Sequence, residues 1–565
     1  MKSFRYIITV IVIMATCSLH AATLDDQYAV IRYNLESGKI DTEDYYLYLA
    51  QSVLDPAALP SDIAIEITEP IKSGTSILKE IRLNWDSFSS DLKARMQPLI
   101  TRPTTECKYL SPDGYFWVHY DTASGMETPV IPLDDIDSSG VPDFVENIAS
   151  YADSARRHIV ETLGYSPPPS DGTLGGDELY DLYFQQGMYY GITWGDTPYT
   201  FQCSDGYTSH IRLHRNFLIF EENDDPEGDQ KGSMKVAIAH EFFHAVQFYY
   251  DAFVATWWGE AVSVWMEEQV FPLVNDNYNY FDHFWPYPQK SLLDSDDLEH
   301  AYGSFVWPMF LEENFGRDFI RTVIMNTCFG SSPITTTQLE FQTLETSLNT
   351  EFGKFLYWNY VTDGRADGEC YEDAADYPDV AITRTHTSIP ALNQAGSNPP
   401  YTLGSNYIRF DNDSLYEGIL QFEIDTVQAG QWGLLVITAD TTLTQFDYEL
   451  YNYINGSDTR YYVPYIDRYD HVAFVPHIRG SSANGPYAYN YSISYRLVGD
   501  VDYSGAIDID DVVFILAYLF QGGPAPEPPE AAEVECNGDV SIDDVVYLIA
   551  YLYNGGPPPC GLGFE

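Results

Sequence analysis

The stretch that decides the fold is KVAIAHEFFHAVQFYYDAFVATWWGEAVSVWM, residues 235–266. Its apolar residues recur with a helical period on both sides of a short aromatic link, so it predicts two buried helices in succession. The first helix carries His240, Glu241 and His244 inside an otherwise apolar run, and the second opens with Glu260. Charged groups are costly to bury unless they are paired or bound. These four residues are therefore the first candidates for a functional site.

The spacing of the two histidines suits a metal ion. Positions i and i+4 lie on one face of a helix, so His240 and His244 can present two imidazoles to one ion. Zinc accepts imidazole and carboxylate ligands and in catalytic sites keeps one position open for water. Glu241 can take a proton from that water and pass it to a leaving amine. Glu260, sixteen residues after His244, is the expected third ligand, and Glu267, two turns further on, is the competing candidate.

The two motifs together resemble those of a known peptidase family. AHEFFHAVQFYYD followed by WWGEAVSVWMEE is similar to the gluzincins, and in particular to secreted bacterial gluzincins whose second motif runs Trp-x-x-Glu-small-x-small. The resemblance covers about residues 105–365. It implies an α+β metallopeptidase domain in which His240, His244 and Glu260 bind Zn²⁺ and Glu241 is the general base.

The same resemblance implies a tyrosine or histidine that stabilises the oxyanion. The sequence HAYGS offers His300 and Tyr302, and no fixed spacing selects between them. Tyr302 is the candidate catalytic residue. The alternative is that it is one core tyrosine among the 46 of the chain.

The tail contains a repeat, in which GDVDYSGAIDIDDVVFILAYLFQGGP recurs as AEVECNGDVSIDDVVYLIAYLYNGGP. A calcium loop of the EF-hand type takes oxygen ligands from positions 1, 3, 5, 7, 9 and 12 and has glycine at position 6. The first copy fills these ligand positions with Asp500, Asp502, Ser504, Ala506, Asp508 and Asp511. The second copy fills them with Glu533, Glu535, Asn537, Asp539, Ser541 and Asp544. Glutamate at position 1 of the second copy predicts weaker Ca²⁺ binding there.

The repeat pair, residues 499–560, resembles a type I dockerin, a duplicated calcium loop and helix. The resemblance implies a small all-α module that docks to a cohesin-like or cell-surface partner. At the helix starts this chain has Ile509-Asp510 and Ile542-Asp543, where cellulosomal dockerins often carry small hydroxyl residues, so a cellulosomal partner is not implied. The alternative is an acidic helical hairpin without metal.

A third loop, DIDSSGVPDFVE, fits the same calcium frame around Gly140. Its ligand positions are filled by Asp135, Asp137, Ser139, Val141, Asp143 and Glu146. The alternative is an ordinary turn rich in Asp and Ser that caps the following helix.

The rest of the chain suggests several domains, as its 565 residues require. Residues 1–22 have the basic start, short apolar run and small residues of a signal peptide, and Cys17 is a weaker candidate for lipid attachment. Residues 23–104 are helical and polar, a propeptide or a support for residues 105–380, which form the peptidase domain. Short strand-like runs separated by turn residues predict a β-sandwich over residues 385–497. The expected fold class is therefore multi-domain α+β.

Composition limits the partners. The formal net charge of −56 repels nucleic acid and anionic membranes, and beyond the leader no run is long and apolar enough to span a membrane. Six cysteines follow the leader, and proximity in sequence suggests Cys536 with Cys560 and Cys328 with Cys370.

The interpretation that joins these features is a secreted zinc endopeptidase, extracellular or attached to the cell surface, with a calcium-dependent docking module. Two other classes stay open. One is a non-catalytic surface adhesin with a vestigial metal site, although an intact His-Glu-x-x-His argues against decay. The other is a dockerin-bearing carbohydrate-active enzyme, for which no isolated carboxylate pair stands out among the 84 acidic residues.

Overall fold

The computed structural model describes residues 22–125, 130–366, 370–412, 416–427, 430–443, 445–451, 459–482 and 484–560. The predicted signal peptide and Cys17 lie outside these residues, apart from position 22. The chain forms two compact units. Unit 1 is Met1–Phe284 with Asp294–Leu344, and unit 2 is Trp285–Leu293 with Glu345–Glu565. Both contain helices and strands, so the expectation of a multi-domain α+β protein is confirmed.

Unit 1 is built on one mixed sheet of six strands. They are β1 (Ile71–Ser73), β2 (Cys107–Leu110), β3 (Phe116–Tyr120), β4 (Tyr180–Gln185), β5 (Tyr189–Pro198) and β6 (Tyr207–His214). Their order is β1-β5-β6-β4-β3-β2. The β1–β5, β3–β4 and β4–β6 pairs are parallel, and the β2–β3 and β5–β6 pairs are antiparallel. Most residues of β5 and β6 are buried, as expected for strands covered on both faces.

The α-helices described in unit 1 accompany this sheet. They are α1 (Leu24–Glu36), α2 (Thr42–Leu54), α3 (Thr75–Asn84), α4 (Ser90–Ile100), α5 (Asp143–Arg156), α6 (Asp229–Tyr250), α7 (Thr256–Val270), α8 (Phe281–Phe284), α9 (Leu298–Gly303), α10 (Val306–Phe315), α11 (Arg317–Thr327) and α12 (Pro333–Thr343). In the N-terminal region, the side chains of Thr23, Asp41 and Ser89 cap α1, α2 and α4. This region is helical as expected, but it also contributes β1 to the sheet. It is therefore part of unit 1.

The two motif helices form the centre of unit 1. Helix α6 has 22 residues and is buried along almost its whole length from Gly232 to Tyr250. It ends at Tyr250, the next residue, Asp251, has an extended backbone, and α7 begins at Thr256. Every residue of α7 from Trp257 to Glu267 is buried. This all-round burial explains why neither helix has a polar face in the sequence.

Unit 2 contains two sheets among the described residues. Their strands are β7 (Arg384–His386), β8 (Ala391–Ala395), β9 (Ile408–Asp411), β10 (Ile419–Asp425), β11 (Trp432–Asp440), β12 (Phe446–Tyr451), β13 (Arg460–Pro464), β14 (Tyr469–Ile478) and β15 (Asn490–Arg496). One sheet has the order β13-β10-β15-β8 and the other β12-β11-β14-β9-β7. Buried side chains from both sheets, such as Phe422 and Phe474, meet in one hydrophobic core.

The α-helices described in unit 2 are α13 (Leu348–Tyr360), α14 (Ile509–Gln521) and α15 (Ile542–Asn554). The sequence extends the peptidase domain to residue 380, whereas α13 packs within unit 2, where the Tyr357 hydroxyl donates to the carbonyl of Phe446. Helices α14 and α15 share a core with Ile419, Val498 and Val501. Within the described ranges, no helix has the length and apolar character needed to cross a membrane.

Two disulfides join cysteines of the described chain. Cys536 bonds to Cys560, which confirms the pairing expected from proximity. The pairing of Cys328 with Cys370 is wrong, because Cys328 bonds to Cys203. Cys203 lies in the connection between β5 and β6, and Cys328 follows α11. These two positions are 125 residues apart in sequence and are brought together by the fold. Proximity in sequence therefore could not indicate their pairing.

Candidate metal centre

Three side chains of the motif helices converge at one point. His240 and His244 come from α6, and Glu260 comes from α7. One ligand atom from each residue lies within 4.8 Å of the others. Oε2 of Glu260 is 3.2 Å from Nε2 of His240 and 3.3 Å from Nε2 of His244. The structure thus brings together the two histidines and the carboxylate that the sequence singles out.

The outer nitrogen of His240 is held by a second carboxylate. Nδ1 of His240 lies 2.7 Å from Oε1 of Glu267. The other oxygen of Glu267 is 2.8 Å from Nζ of Lys72, which also forms an ion pair with Asp276. The four side chains are all buried. A carboxylate on Nδ1 fixes the ring so that Nε2 faces the centre, which is how zinc-binding histidines are commonly oriented. Glu267, the competing ligand candidate, therefore lies behind His240.

His244 is oriented by neutral groups. Its Nδ1 lies 3.2 Å from Oε1 of Gln247 and 3.3 Å from Oγ of Ser263. The amide of Gln247 in turn donates to the carbonyl of Gly259 and to Ser263. Both imidazoles therefore engage their partners through Nδ1 and direct Nε2 inward.

The electrostatics of the pocket favour a cation. Burial lowers the pKa of His240, but its hydrogen bonds with Glu260 and Glu267 outweigh this effect and raise the pKa to about 9. Burial also opposes ionisation of Glu260, yet His244 and His240 lower its pKa below the ordinary range. Two buried carboxylates around one imidazole thus stabilise positive charge at this point.

The donor set fits zinc. Two imidazole nitrogens and one carboxylate oxygen match the three protein ligands of a catalytic zinc site. Nε2 of His244 and Oε1 of Glu241 are buried without a well-formed hydrogen bond, and the former lies 3.3 Å from Oε2 of Glu260. Buried polar atoms are nearly always satisfied, so such orphans mark a place for an absent ligand. His240, His244 and Glu260 are the residues that would hold the ion.

Glu241 lies beside the ligands and is completely buried. Its Oε2 accepts a hydrogen bond from the hydroxyl of Thr75 at 2.9 Å and lies 2.7 Å from the hydroxyl of Thr193 in β5. Gly191, two residues before Thr193, faces the same side chain: a Cβ atom there would lie 2.6 Å from Cγ of Glu241. Only glycine leaves room for this carboxylate.

The two oxyanion candidates are placed differently. The ring of Tyr302 lies 6.2 Å from that of His240, and its hydroxyl donates to the carbonyl of Ser73 and accepts from the Ser73 amide. Burial raises the pKa of Tyr302 well above its ordinary value, so the phenol keeps its proton. His300 stacks on Phe284 instead, with Nδ1 3.0 Å from the carbonyl of His283. Of the two, Tyr302 is the one that adjoins the candidate metal ligands.

The first tail loop brings three of its six predicted calcium ligands together. Asp500, Asp502 and Asp511 bring carboxylate oxygens within 4.8 Å of one another. Asp511 accepts the backbone amides of Val501 and Asp508, which ties the end of the loop to its beginning. Oδ1 of Asp500 is buried and has no hydrogen-bond partner. The hydroxyl of Ser504 donates to the carbonyl of Ala506, and Asp508 caps α14.

The second tail loop follows the same backbone path as the first, but the residues that converge in it are not the corresponding ones. Glu533 accepts the amides of Asn537 and Gly538 and also the hydroxyl of Tyr465. The ligand atoms that converge here belong to Glu533, Cys536 and Cys560, and the two cysteines are joined in a disulfide. Asp544 accepts the amides of Val534 and Ser541, as its counterpart does in the first loop. Glu535 binds the Asn537 amide group, Asp539 donates its own amide to Asn537, and Ser541 caps α15.

The third loop shares this backbone path. Residues at position 4 of the three loops, Ser138, Tyr503 and Cys536, have φ of 61°, 64° and 55°, and the glycines at position 6 also have positive φ. In this loop Asp135, Asp137 and Asp143 converge, and the third member comes from position 9, not from Glu146 at position 12. The hydroxyl of Ser139 donates to the carbonyl of Val141. The cluster is largely exposed.

Comparison with protein families gives a match to part of the chain. A protein-family model described as a family of unknown function (DUF6055) matches residues 229–418, about a third of the chain. The match begins at the first residue of α6 and includes all three candidate zinc ligands. Among curated proteins, none matches the sequence significantly.

The sequence did not point to the groups around the ligands. Thr75, Thr193 and Gly191 surround Glu241, and Gln247 orients His244, yet none of these belongs to a recognisable motif. Gln247 alone offers a local signal, because it lies three residues after His244 on the same helix face. The contacts of Thr75 and Thr193 with Glu241 span 166 and 48 residues and follow only from the sheet.

Proposed function

We propose that the chain is a zinc-dependent endopeptidase that hydrolyses proteins outside the cell. One observation carries the proposal: two imidazoles with Nδ1 already engaged and one carboxylate direct their ligand atoms to a single point beside Glu241. The resemblance of the two motifs to gluzincins and the leader-like start of the chain support the same interpretation.

Bound zinc would act as a Lewis acid towards a peptide carbonyl and lower the pKa of a coordinated water. The protein's own groups would do the rest. Glu241, whose Oε1 has no other partner, is placed to take a proton from the attacking water and to return it to the leaving nitrogen. Tyr302 would donate its hydroxyl to the oxyanion, since its proton is retained at neutral pH. Glu267 and Gln247 would keep the two imidazoles in orientation.

Metal analysis joined to a protease assay tests the proposal. The purified chain is analysed for zinc and then incubated with casein, with and without a zinc chelator. Because the site is buried, the assay is run on the intact chain and after mild digestion with a second protease, which is then inhibited. Zinc close to one per chain and chelator-sensitive casein hydrolysis are expected. Bound zinc without hydrolysis in either preparation would favour the adhesin alternative.

For the tail we propose a calcium-dependent docking module, next to a β-sandwich formed by the two sheets of unit 2. Both repeat helices expose the same apolar positions: Ile509, Val513 and Phe520 in α14, and Ile542, Val546 and Tyr553 in α15. Each residue of the second set follows its counterpart by 33 positions. Exposed apolar stripes of this kind mark interaction surfaces. Calcium-dependent retention of the full chain on a cohesin-like or cell-surface partner is the measurement that tests the module.

A further inference from the structure

One segment of the N-terminal region contacts three of the groups assigned to catalysis. This covering segment, residues 71–84, comprises β1 and α3. Ser73 pairs through its backbone amide and carbonyl with the Tyr302 hydroxyl. Thr75 donates its hydroxyl to Glu241, and Ser76 donates its hydroxyl to Glu260. The proposed base, third ligand and oxyanion donor are thus each occupied by a neighbouring residue of one short stretch.

The covering segment also extends the sheet beside the metal centre. Strand β1 pairs in parallel with β5, with Ile71 opposite Tyr189 and Ser73 opposite Gly191. The amide of Gly74 donates to the carbonyl of Gly191 at 3.2 Å. Without β1, the strand that carries Gly191 and Thr193 would be the edge of the sheet. A sheet edge with free backbone groups is a place where extended peptides add as a further strand.

Burial shows that this arrangement excludes a substrate. His240, Glu241 and Glu260 each have no exposed surface, and His244 has 3%. A polypeptide that reaches these side chains must therefore replace whatever covers them. Within the described ranges, the hydrogen bonds that reach the side chains of Glu241 and Glu260 from outside the motif helices and β5 come from Thr75 and Ser76.

The covering segment does not present itself as a substrate. Thr75 and Ser76 lie in the first turn of α3, and Gly74 before them already has helical angles, φ −87° and ψ −1°. The amide of Leu78 donates to the carbonyl of Gly74, which closes the turn. Peptide bonds inside a helix are not extended and have their carbonyls engaged. The segment thus reaches Glu241 and Glu260 through side-chain hydroxyls, and its backbone contacts only the hydroxyl of Tyr302 among the proposed catalytic groups.

We propose that the covering segment is an inhibitory insert that keeps the chain latent, and that displacement of the N-terminal region uncovers β5 as the strand along which an extended polypeptide substrate binds. This inference rests on the proposed peptidase function. The connection at residues 101–106, between α4 and β2, is where a cut would separate the region from the rest of unit 1. Thr101, Thr104 and Glu106 are exposed there.

An engineered cut tests the inference. The recognition sequence of a site-specific protease is inserted between Thr104 and Thr105 of the full chain, and the zinc-loaded protein is cut and freed of its N-terminal fragment in mild denaturant. Two quantities are measured before and after: the rate at which a chelator removes zinc, and casein hydrolysis. We expect zinc release to accelerate at least tenfold and hydrolysis to appear. The same cleavable protein carrying Glu241→Gln should show the faster release without hydrolysis.

The outcomes separate this inference from the proposed function. Two results would overturn the inhibitory role: unchanged zinc release after removal of the fragment, or full casein hydrolysis by the uncut chain. Neither result would contradict the proposed peptidase function. Faster zinc release without any casein hydrolysis would support the covering role of the segment and would contradict the proposed peptidase function.

Point variants give a second test in the uncut chain. Thr75→Val with Ser76→Ala deletes both hydroxyls that reach the catalytic carboxylates and should speed zinc removal several-fold. Ser87→Ala is the matched control, because the Ser87 hydroxyl bonds only to the carbonyl of Asn84 at the end of α3. Equal zinc release from the double variant, the control and the wild type would contradict the inference, provided their circular dichroism spectra agree.

Discussion

Oε1 of Glu267 lies 2.7 Å from Nδ1 of His240, on the side of the ring that faces away from the other candidate ligands. Glu260, two helical turns earlier on α7, meets Nε2 of the same ring. One imidazole is therefore held between two carboxylates of one helix. The orientation of the ring makes Glu260 the candidate metal ligand and Glu267 the group that supports His240.

This assignment predicts different effects for the two glutamates. Glu260→Ala should abolish stoichiometric zinc binding, because it deletes a ligand. Glu267→Ala should weaken zinc binding by about 10- to 100-fold, as loss of a carboxylate behind a ligand histidine does. Equilibrium titration with a zinc-buffered indicator measures both. The reverse order of effects would transfer the ligand role to Glu267.

Glu241→Gln should retain zinc but lower casein hydrolysis by several orders of magnitude, because the amide cannot accept a proton from water. Zinc content and hydrolysis are measured on the same sample, with the N-terminal region removed as described above. Retained activity would rule out Glu241 as the base. Loss of zinc would mean that Glu241 is itself a ligand.

Gly191→Ala should lower the turnover rate at least tenfold without removing zinc, because the added methyl group would lie 2.6 Å from Cγ of Glu241 and must displace it. Gly195→Ala, in the same strand, is the matched control. There the nearest atom, Cε2 of Phe248, is 3.4 Å from the added carbon, an ordinary contact. Equal activity of the two variants would show that Glu241 tolerates displacement.

The first tail loop should dominate calcium binding. Asp500→Ala removes the carboxylate with the unpartnered buried oxygen and should reduce the bound Ca²⁺ by one ion per chain. Glu533→Ala changes the same position of the second loop and should have a smaller effect, since Glu533 is already bonded to Tyr465 and two amides. Calorimetric titration of the full chain with calcium compares them. Similar losses in both variants would contradict the ranking.

His477 should make unit 2 sensitive to acid. Burial lowers its pKa from 6.5 to about 4, so the folded chain resists a proton that the unfolded chain accepts. The stabilisation is present above pH 6.5 and is lost as the pH falls towards 4, by about 3 kcal/mol at most. His477→Gln should therefore cost most stability near pH 7 and least near pH 4. Urea unfolding of both proteins at several pH values checks this, and a pH-independent difference would refute it.

How much could be predicted from the sequence depends on the range of each interaction. His240 and His244 are set by helix geometry, and Glu260 by the short link between two helices, so local spacing was enough to select the residues that converge. Whether zinc occupies them stays a prediction. The role of Glu267 was not decidable, because spacing along α7 does not say which side of the His240 ring a carboxylate meets.

Long-range pairing was not predictable for a different reason. Strand β1 has three residues and pairs with a partner more than a hundred positions away, so no periodicity marks it. Ser76 and Glu260 are 184 residues apart, and a hydroxyl residue in a helix's first turn is common in any protein. The bond between Cys203 and Cys328 was not predictable for the same reason, because the two cysteines are far apart in sequence. Such contacts follow from the completed sheet.

The Cys203–Cys328 bond joins positions that are 125 residues apart and closes a covalent ring that contains α6, α7 and all three candidate ligands. A closure of that length removes unfolded-chain entropy worth about 5 kcal/mol at room temperature. Thiol reductants should therefore act on the metal centre from a distance, by freeing the chain in which it is embedded while every ligand stays chemically intact. The redox state of one sulfur pair would then determine how long the candidate metal centre survives heating.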